Sequence, residues 1–470
     1  MMNRWQNQEE AFLFAMGHTA CMLDMEMGTG KTRVAIDTAL TRSDVGKVLI
    51  VCPKAVVGVW RENLNKFYPK GNWCCWDNQK GTVATKAEDL KKWMGNNFKL
   101  YSSDTLFVVV NYDIVWRKEL GDYIYKEAGF HMVVLDESHR AKAAGSKVSK
   151  YLAMLGKKTA YRMCLSGTPM ANSPLDVYGQ YRFLNPTIFG TNYSRFLDNY
   201  AIMGGPERRF VVGFKNQKEL SDKFNSIAYT CKMEDVKDRI KLPDHLPPIK
   251  RYVTMPSKDK KIMKDLLKDF VTECEAGYVV VNNVLVKLLR LQQITSGYCP
   301  VKEDVFDRNG EVMELNTAKQ DELSDILSDI SPLASVVVFC VFRHDIRVIS
   351  ETARKAQRKI FELSGEKNEL EEWKKSKGAV IVVQIQAGAE GVDLTNANHA
   401  IYFSLPHSLA LYDQSRARLY RPGQTRPVSF IHIIAEDTID ESMYKSLVNK
   451  KDVIKSIKDG TFDYGYSKSL

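Results

Sequence analysis

The stretch Ala20-Cys21-Met22-Leu23-Asp24-Met25-Glu26-Met27-Gly28-Thr29-Gly30-Lys31-Thr32 decides how this chain is read. It opens on an apolar run, Ala20–Leu23, passes through a glycine turn, and continues into a helical pattern, Arg33–Leu40. Strand, glycine turn and helix in that order make a phosphate cradle. Glycines let backbone N–H groups close around phosphate oxygens, and the helix N-terminus adds a favourable dipole. Lys31 is placed to neutralise β- and γ-phosphate charge, and Thr32 to hold Mg²⁺ through its hydroxyl. Met27, Gly28, Thr29 and Gly30 complete the expected nucleotide contact. The strict pattern is not met, because Met25 stands at its first glycine position.

A Mg²⁺–nucleotide site needs a carboxylate at the end of a neighbouring strand. Met132–Leu135 reads as such a strand and runs into Asp136-Glu137-Ser138-His139. Asp136 is expected in the Mg²⁺ shell, and Glu137 is expected to orient or deprotonate the attacking water. Ser166-Gly167-Thr168-Pro169 follows a third apolar run. Alone it is a plain turn; here it can place hydroxyls near a γ-phosphate.

Outward from these motifs, short apolar runs alternate with amphipathic stretches. Lys47–Cys52, Leu106–Val110, Met132–Leu135 and Arg162–Leu165 are short, apolar and bounded by turn signals, as expected of buried parallel strands. Val56–Phe67 reads as a helix with Val56, Val59, Trp60, Leu64 and Phe67 on one face. The rhythm stops near residue 205. Residues 206–335 hold a Pro-rich hinge candidate, Leu242–Pro248, and helical patterns over Lys258–Ala276 and Val284–Ile294. It resumes with Val336–Phe342, Ala379–Val383, Ala400–Phe403 and Val428–Ile434, and Asp437–Lys458 reads as a closing helix. This is an α/β chain with two parallel-sheet halves, and a ligand cleft is expected between them.

The second half contributes arginines. Gln414-Ser415-Arg416-Ala417-Arg418-Leu419-Tyr420-Arg421 follows a helical pattern, and Arg418 and Arg421, three apart, are expected on one face. Such a pair can stabilise charge developing on a γ-phosphate. Gln386–Leu394 reads as a glycine-containing loop in which Gly388 and Gly391 allow close backbone approach.

Composition is consistent with this and excludes other classes. The chain has 470 residues, 44% hydrophobic and 26% charged, so disordered, collagen-like and mini-protein readings fail. Its 67 basic and 57 acidic residues give +10. Of that, +7 falls within residues 1–205 (26 basic, 19 acidic), which permits a polyanionic partner. Nine scattered cysteines with no C-x-x-C pair argue against zinc ribbons and disulfide frameworks and fit a reducing compartment. Met1–Glu10 is polar with no apolar h-region, so no secretory signal is expected, and no run of about 18 apolar residues suggests a membrane span.

In this order the motifs resemble those of superfamily 2 helicase-type motors, more narrowly the Swi/Snf family of DNA-dependent ATPases. The resemblance runs from about Gln8 to Ile439. It is carried by Asp24–Thr32; Leu49–Pro53 with Trp60 and Phe67; Asn111-Tyr112; Asp136–His139; Leu165–Pro169 with Asn172; Leu288–Ile294; Val336–Phe342; the Gly388 loop; and Gln414 through Pro427-Val428. The family's Q-motif glutamine maps to Gln8, with Gln6 as the alternative. Tyr420 replaces the usual His, Pro422 the usual Ile, and Ala389 a common second Gly. The D-E-S-H form resembles the annealing-helicase branch, and the bare motor resembles compact bacterial and phage members.

The resemblance implies two RecA-like lobes, residues 1–205 and 336–470, around an α-rich insertion, 206–335. It implies ATP and Mg²⁺ as cofactors and DNA, double-stranded or branched, as a sequence-independent partner. Nucleotide contacts are expected from Gln8, Met27–Thr32, Gly391 and Asp393. Catalytic roles fall to Asp136, Glu137, Gln414, Arg418 and Arg421, and backbone contacts to Lys54, Asn111, Thr168 and Gln386. The implied activity is a DNA-stimulated ATP-driven translocase. A strand-separating helicase ranks lower, since no separation-pin hairpin is obvious, and an adaptor with an idle ATPase is the third reading. A cytoplasmic setting, bacterial or phage-infected, is expected.

Overall fold

The computed structural model describes residues 4–69, 71–77, 81–100, 104–170, 173–204, 210–236, 242–243, 246–263, 289–300, 312–388 and 392–447. The chain divides into two compact units, with the boundary between residues 240 and 241.

The first unit is built on β1 (Ala20–Met25), β2 (Lys47–Cys52), β3 (Trp73–Asp77), β4 (Thr105–Asn111), β5 (Met132–Asp136) and β6 (Tyr161–Ser166). A hairpin of β7 (Ala201–Gly204) and β8 (Phe210–Phe214) and a last strand, β9 (Ala228–Cys231), follow. Seven strands form one sheet in the order β3-β4-β2-β5-β6-β1-β9, every pair parallel. Val48, Leu49, Ile50 and Val51 are all fully buried, so both faces of β2 are covered, the pattern that makes a central parallel strand read as an unbroken apolar run.

The second unit holds β10 (Ile249–Val253), the short antiparallel pair β11 (Tyr298–Pro300) and β12 (Val312–Glu314), then β13 (Val336–Cys340), β14 (Ile360–Leu363), β15 (Val380–Gln384), β16 (His399–Tyr402) and β17 (Ser429–Ala435). Six of these make a second all-parallel sheet, β10-β17-β16-β13-β15-β14. Arg358 stitches it together: its guanidinium donates to the carbonyls of Leu327, Ile330, Ser331, Pro332, Ala334 and Gly378. A buried ion pair, Lys319–Asp440 at 2.5 Å, is completed by Lys319 to the Phe403 carbonyl and by Thr295 and the Ala435 amide to Asp440. With every charge satisfied, the pair avoids the penalty of an uncompensated buried ion.

Two parallel-sheet lobes are therefore present, with differences in detail. Residues 206–335 are not an α-rich block set apart from the sheets: they supply β9 to the first and β10 to the second. β3, β10 and β14, which the apolar-run reading passes over, are edge or near-edge strands with half-exposed residues. The helix after β2 is Val57–Phe67, and its buried face is Val57, Trp60 and Leu64; Val56, Val59 and Phe67 are only partly buried. The antiparallel hairpin β7–β8, with Ile202 and Val211 exposed, has no obvious sign in the sequence. The patterns Lys258–Ala276, Val284–Ile294 and Asp437–Lys458 are helical over 257–263, 289–295 and 439–447; their remainders lie largely outside the described residues. Among the described residues no helix is long and apolar enough to cross a membrane, and none of the eight described cysteines is in a disulfide.

One buried titratable group gives this unit a pH signature. His432 stacks on Tyr402 at 4.9 Å, with Nε2 2.8 Å from the Tyr412 hydroxyl and Nδ1 3.4 Å from the Ile249 carbonyl. Burial pushes its pKa down to about 3, the Ile249 carbonyl opposing and Arg416 and Lys250 reinforcing. Between that value and the unfolded one, near 6.5, only the unfolded chain takes up the proton, so stability falls as pH drops below 6.5. The loss from pH 7 to pH 5 is about 2 kcal/mol. Urea unfolding at the two pH values should show wild type losing more stability than His432→Asn by roughly that amount.

Candidate functional site

Site residues of the first unit gather at the carboxyl ends of β1, β5 and β6, where parallel sheets bind ligands. β1 runs through Met25, so the pattern's missing first glycine is a buried strand residue paired with Cys231. The turn then needs glycine twice: Gly28 and Gly30 have φ of +86° and +100°. A Cβ on Gly30 would also overlap the side chain of Gln8. Gln8 is buried, and its Oε1 accepts the Trp5 amide at 3.1 Å. The preceding residue, Asn7, donates to the Thr29 carbonyl at 3.0 Å. The helix Gln6–Met16 thus clamps the glycine turn from outside through two adjacent side chains. Asn7 has no signal in the sequence beyond its neighbour.

The helix Lys31–Thr41 begins on the turn. Lys31 is 8% exposed, with Nζ 2.7 Å from the Met25 carbonyl, and Thr32 is half-buried beside it. Thr29 is fully buried and closes the turn by donating to the Glu26 carbonyl at 2.7 Å. Gly167 rests on the backbone of Met25, Glu26 and Met27, where a Cβ would stand 3.2–3.4 Å from its atoms.

Asp136 ends β5. Its Oδ2 accepts Trp60 Nε1 at 3.0 Å and its Oδ1 the Glu137 amide at 3.1 Å. Burial and the adjacent Glu137 charge raise its pKa; Lys31 and the two donors pull the other way. Glu137 has φ +51°, left-handed and unfavourable for a residue with a Cβ. Its Oε2 is buried without a hydrogen bond, 3.5 Å from His139 Nδ1. That same Nδ1 lies 3.3 Å from Ser166 Oγ, which accepts the Thr168 amide at 3.1 Å. Burial outweighs Glu137 and lowers the His139 pKa, so the ring is neutral at pH 7. Ser138 joins the same two loops from below through Gln180, which donates to the Pro169 carbonyl.

These residues fit a Mg²⁺–nucleotide. The glycine turn offers its amides, Lys31 a buried cation, Asp136 a buried carboxylate that its three favourable neighbours do not fully offset, and Glu137 a buried oxygen with no hydrogen-bond donor. When bound, the cation would supply charge neutralisation for Asp136 and the phosphates.

The four expected backbone contacts, three in the first unit and Gln386 in the second, differ in exposure. Lys54 is exposed on the 3₁₀ turn Lys54–Val56, Thr168 is half-buried, and Gln386 is exposed after β15. Asn111 is 3% exposed and donates to Asp113 at 3.1 Å, which places it inside a strand-end turn rather than on a surface.

In the second unit the helix Leu409–Arg416 carries Gln414, which is buried, and stops before Arg418. Arg418 and Arg421 therefore do not share a helix face; they lie in the turn beyond it. Arg416 is a packing residue, its guanidinium 4.9 Å from the Phe430 ring. The turn is held against residues 392–397: the Arg418 carbonyl accepts the Leu394 amide at 3.1 Å, and Arg421 donates to the Val392 carbonyl at 3.3 Å. Asp393 stands there too. Burial works to raise its pKa, but the Thr395 amide and hydroxyl, with Arg421, hold it below the ordinary value. Gln424, to which the sequence reading gave no role, is the staple. Buried, it donates to the Thr395, Ala397 and Leu419 carbonyls and accepts the Thr425 and Arg426 amides. Its place in the block Gln414–Val428, one of those that carry the family resemblance, was the signal. Gly388 packs closely on the sheet: Ile385–Gly388 is a helical turn, and a Cβ there would overlap the Val383 side chain. Gly391, Ala389, Asn172 and Leu288 lie outside the described residues.

Comparison with known proteins matches residues 1–297 to the SNF2-related domain and residues 318–423 to the helicase conserved C-terminal domain. The DNA repair and recombination protein RAD54-like of Drosophila erecta is 23% identical over 93% of this chain and 60% of its own length. The chromodomain-helicase-DNA-binding protein 1-like of Danio rerio is 25% identical over 94% and 42%, respectively. The DNA annealing helicase and endonuclease ZRANB3 of Mus musculus is 25% identical over 96% and 40%. The chain thus spans 60% or less of these relatives' length. Among solved structures, the Sulfolobus solfataricus SWI2/SNF2 ATPase core in complex with dsDNA aligns over 98% of this chain and 94% of its own, at 22% identity and a TM-score of 0.44.

Proposed function

Because the chain belongs to the SNF2-related family of helicase-like, DNA-dependent ATP hydrolases, we propose that it is a motor that moves along double-stranded or branched DNA by hydrolysing ATP. The observation that carries this reading is the convergence of Lys31, Asp136, Glu137 and the His139–Ser166 contact at three adjacent strand ends. Lys31 and the glycine turn bind the phosphates, Thr32 and Asp136 hold Mg²⁺, and Glu137 activates water. His139 lets the loop Ser166–Thr168 sense the state of Glu137. Arg418 and Arg421 stabilise charge on the γ-phosphate during the cycle, with Gln414 beside them as a further catalytic residue and Asp393 and Gln424 holding their turn. Backbone grip comes from Lys54, Thr168 and Gln386. It is independent of sequence and weakened by salt, because phosphate contacts release counterions. The described cysteines, none in a disulfide, suit a reducing cytoplasm.

Displacement of a third strand from a DNA triplex tests the motor: ATP-dependent displacement with wild type and none with Lys31→Ala is expected. The hairpin β7–β8, with its exposed Ile202 and Val211, favours strand separation as the second reading. Unwinding of a forked duplex without triplex displacement would select it.

A further inference from the structure

We infer that Trp60 is a positioning residue for Asp136, fixing the carboxylate in the orientation that receives Mg²⁺. The inference rests on the proposed reading of Asp136 as a metal-site carboxylate. Trp60 is 2% exposed, and an indole N–H has donor capacity only, so once buried it must find an acceptor. The acceptor here is Asp136 Oδ2, 3.0 Å away and 76 residues along the chain.

The geometry gives this bond a consequence. The other oxygen, Oδ1, takes the Glu137 amide, so each oxygen has one donor from a different element. Two such donors set the rotation of the carboxyl plane and leave each oxygen a further lone pair for a cation. The Glu137 amide continues from β5 itself. Trp60 belongs to the helix Val57–Phe67, anchored by buried Val57 and Leu64 and joined to the end of β2 by Pro53 and the 3₁₀ turn Lys54–Val56. β2 and β5 are neighbours, Val51 opposite Leu135, so the helix start and Asp136 share one sheet edge. A partner that orients a metal-binding carboxylate typically contributes about 10- to 100-fold in metal affinity or activity.

The test uses the whole chain, with ADP and Mg²⁺ as probes. Trp60→Phe keeps an aromatic ring and removes the N–H. Benzothienylalanine at position 60 keeps the bicyclic shape and replaces the N–H by sulfur, which separates the hydrogen bond from packing. ADP affinity in EDTA should be the same in all three proteins. The gain in affinity on adding Mg²⁺ should be about tenfold smaller in both substituted proteins. In wild type labelled with ¹⁵N at its seven indoles, the resonance missing from Trp60→Phe should shift as Mg²⁺ is added to the ADP complex. That of Trp373, which donates to the Ala379 carbonyl at 3.3 Å in the second unit, should not. An equal Mg²⁺ gain in all three proteins, or an unmoved Trp60 resonance while Mg²⁺ strengthens ADP binding, overturns the positioning role. Absence of any Mg²⁺ gain in wild type overturns the metal-site reading itself, and the inference with it.

Discussion

Glu137→Gln should lower ATP turnover by roughly 10³-fold while nucleotide affinity changes by no more than about threefold. Glutamine has the size of glutamate but cannot take a proton from water, so the substitution removes chemistry and leaves shape. The surroundings favour this clean outcome. Glu137 Oε2 is buried and accepts no hydrogen bond, so no protein donor is lost from that oxygen. The left-handed backbone, φ +51°, imposes the same Cβ cost on glutamine as on glutamate. Removing the Glu137 charge also removes one of the two causes that raise Asp136. Asp136 then ionises more readily, which opposes any loss of Mg²⁺–nucleotide affinity. Single-turnover phosphate release and equilibrium nucleotide binding measure the two quantities separately. A turnover loss below tenfold would remove Glu137 from water activation, and a parallel loss of affinity would make its role structural.

Arg421→Ala and Arg418→Ala should each lower kcat by about 10³-fold, the lower end of what a transition-state arginine contributes. Arg421 also holds a local network, through the Val392 carbonyl and Asp393, so alanine there removes more than a phosphate contact. Arg421→Lys is the discriminating partner: it restores the charge beside Asp393 but not the planar fork. With Lys, local order and nucleotide affinity should return while kcat stays within about tenfold of the alanine variant. Wild-type turnover in the alanine variants would remove both arginines from the reaction, and full recovery with lysine would make Arg421 a local ion-pair residue.

The sequence made the first nucleotide-binding motif legible because that motif is local. Its glycines, lysine and strand–helix context lie within 13 consecutive residues, and the observed φ values require glycine where glycine stands. Central strands were legible for a related reason: β2, β4 and β5 are buried on both faces and carry unbroken apolar runs. β3 and β10 were not, because an edge strand has a solvent side and its polar residues imitate a loop. The arginine turn misled through spacing. Three residues apart suggests one helix face, yet Pro422 disfavours helical geometry at Arg421, and Gly423 has φ +103°. Contacts that join distant segments have no local signature. Asn7 to Thr29, Trp60 to Asp136 and the six carbonyls on Arg358 are side-chain choices made by the assembled sheet edge.

The central claim, that this chain couples ATP hydrolysis to DNA, is tested most directly by phosphate release from wild type and Lys31→Ala with no nucleic acid, single-stranded, duplex and forked DNA, and RNA. The expected result is stimulation of wild type on the order of tenfold or more by duplex or forked DNA, declining with added salt. Little response to RNA and background rates for Lys31→Ala under every condition are also expected. A wild-type rate that no nucleic acid changes, or one that Lys31→Ala retains, would contradict it.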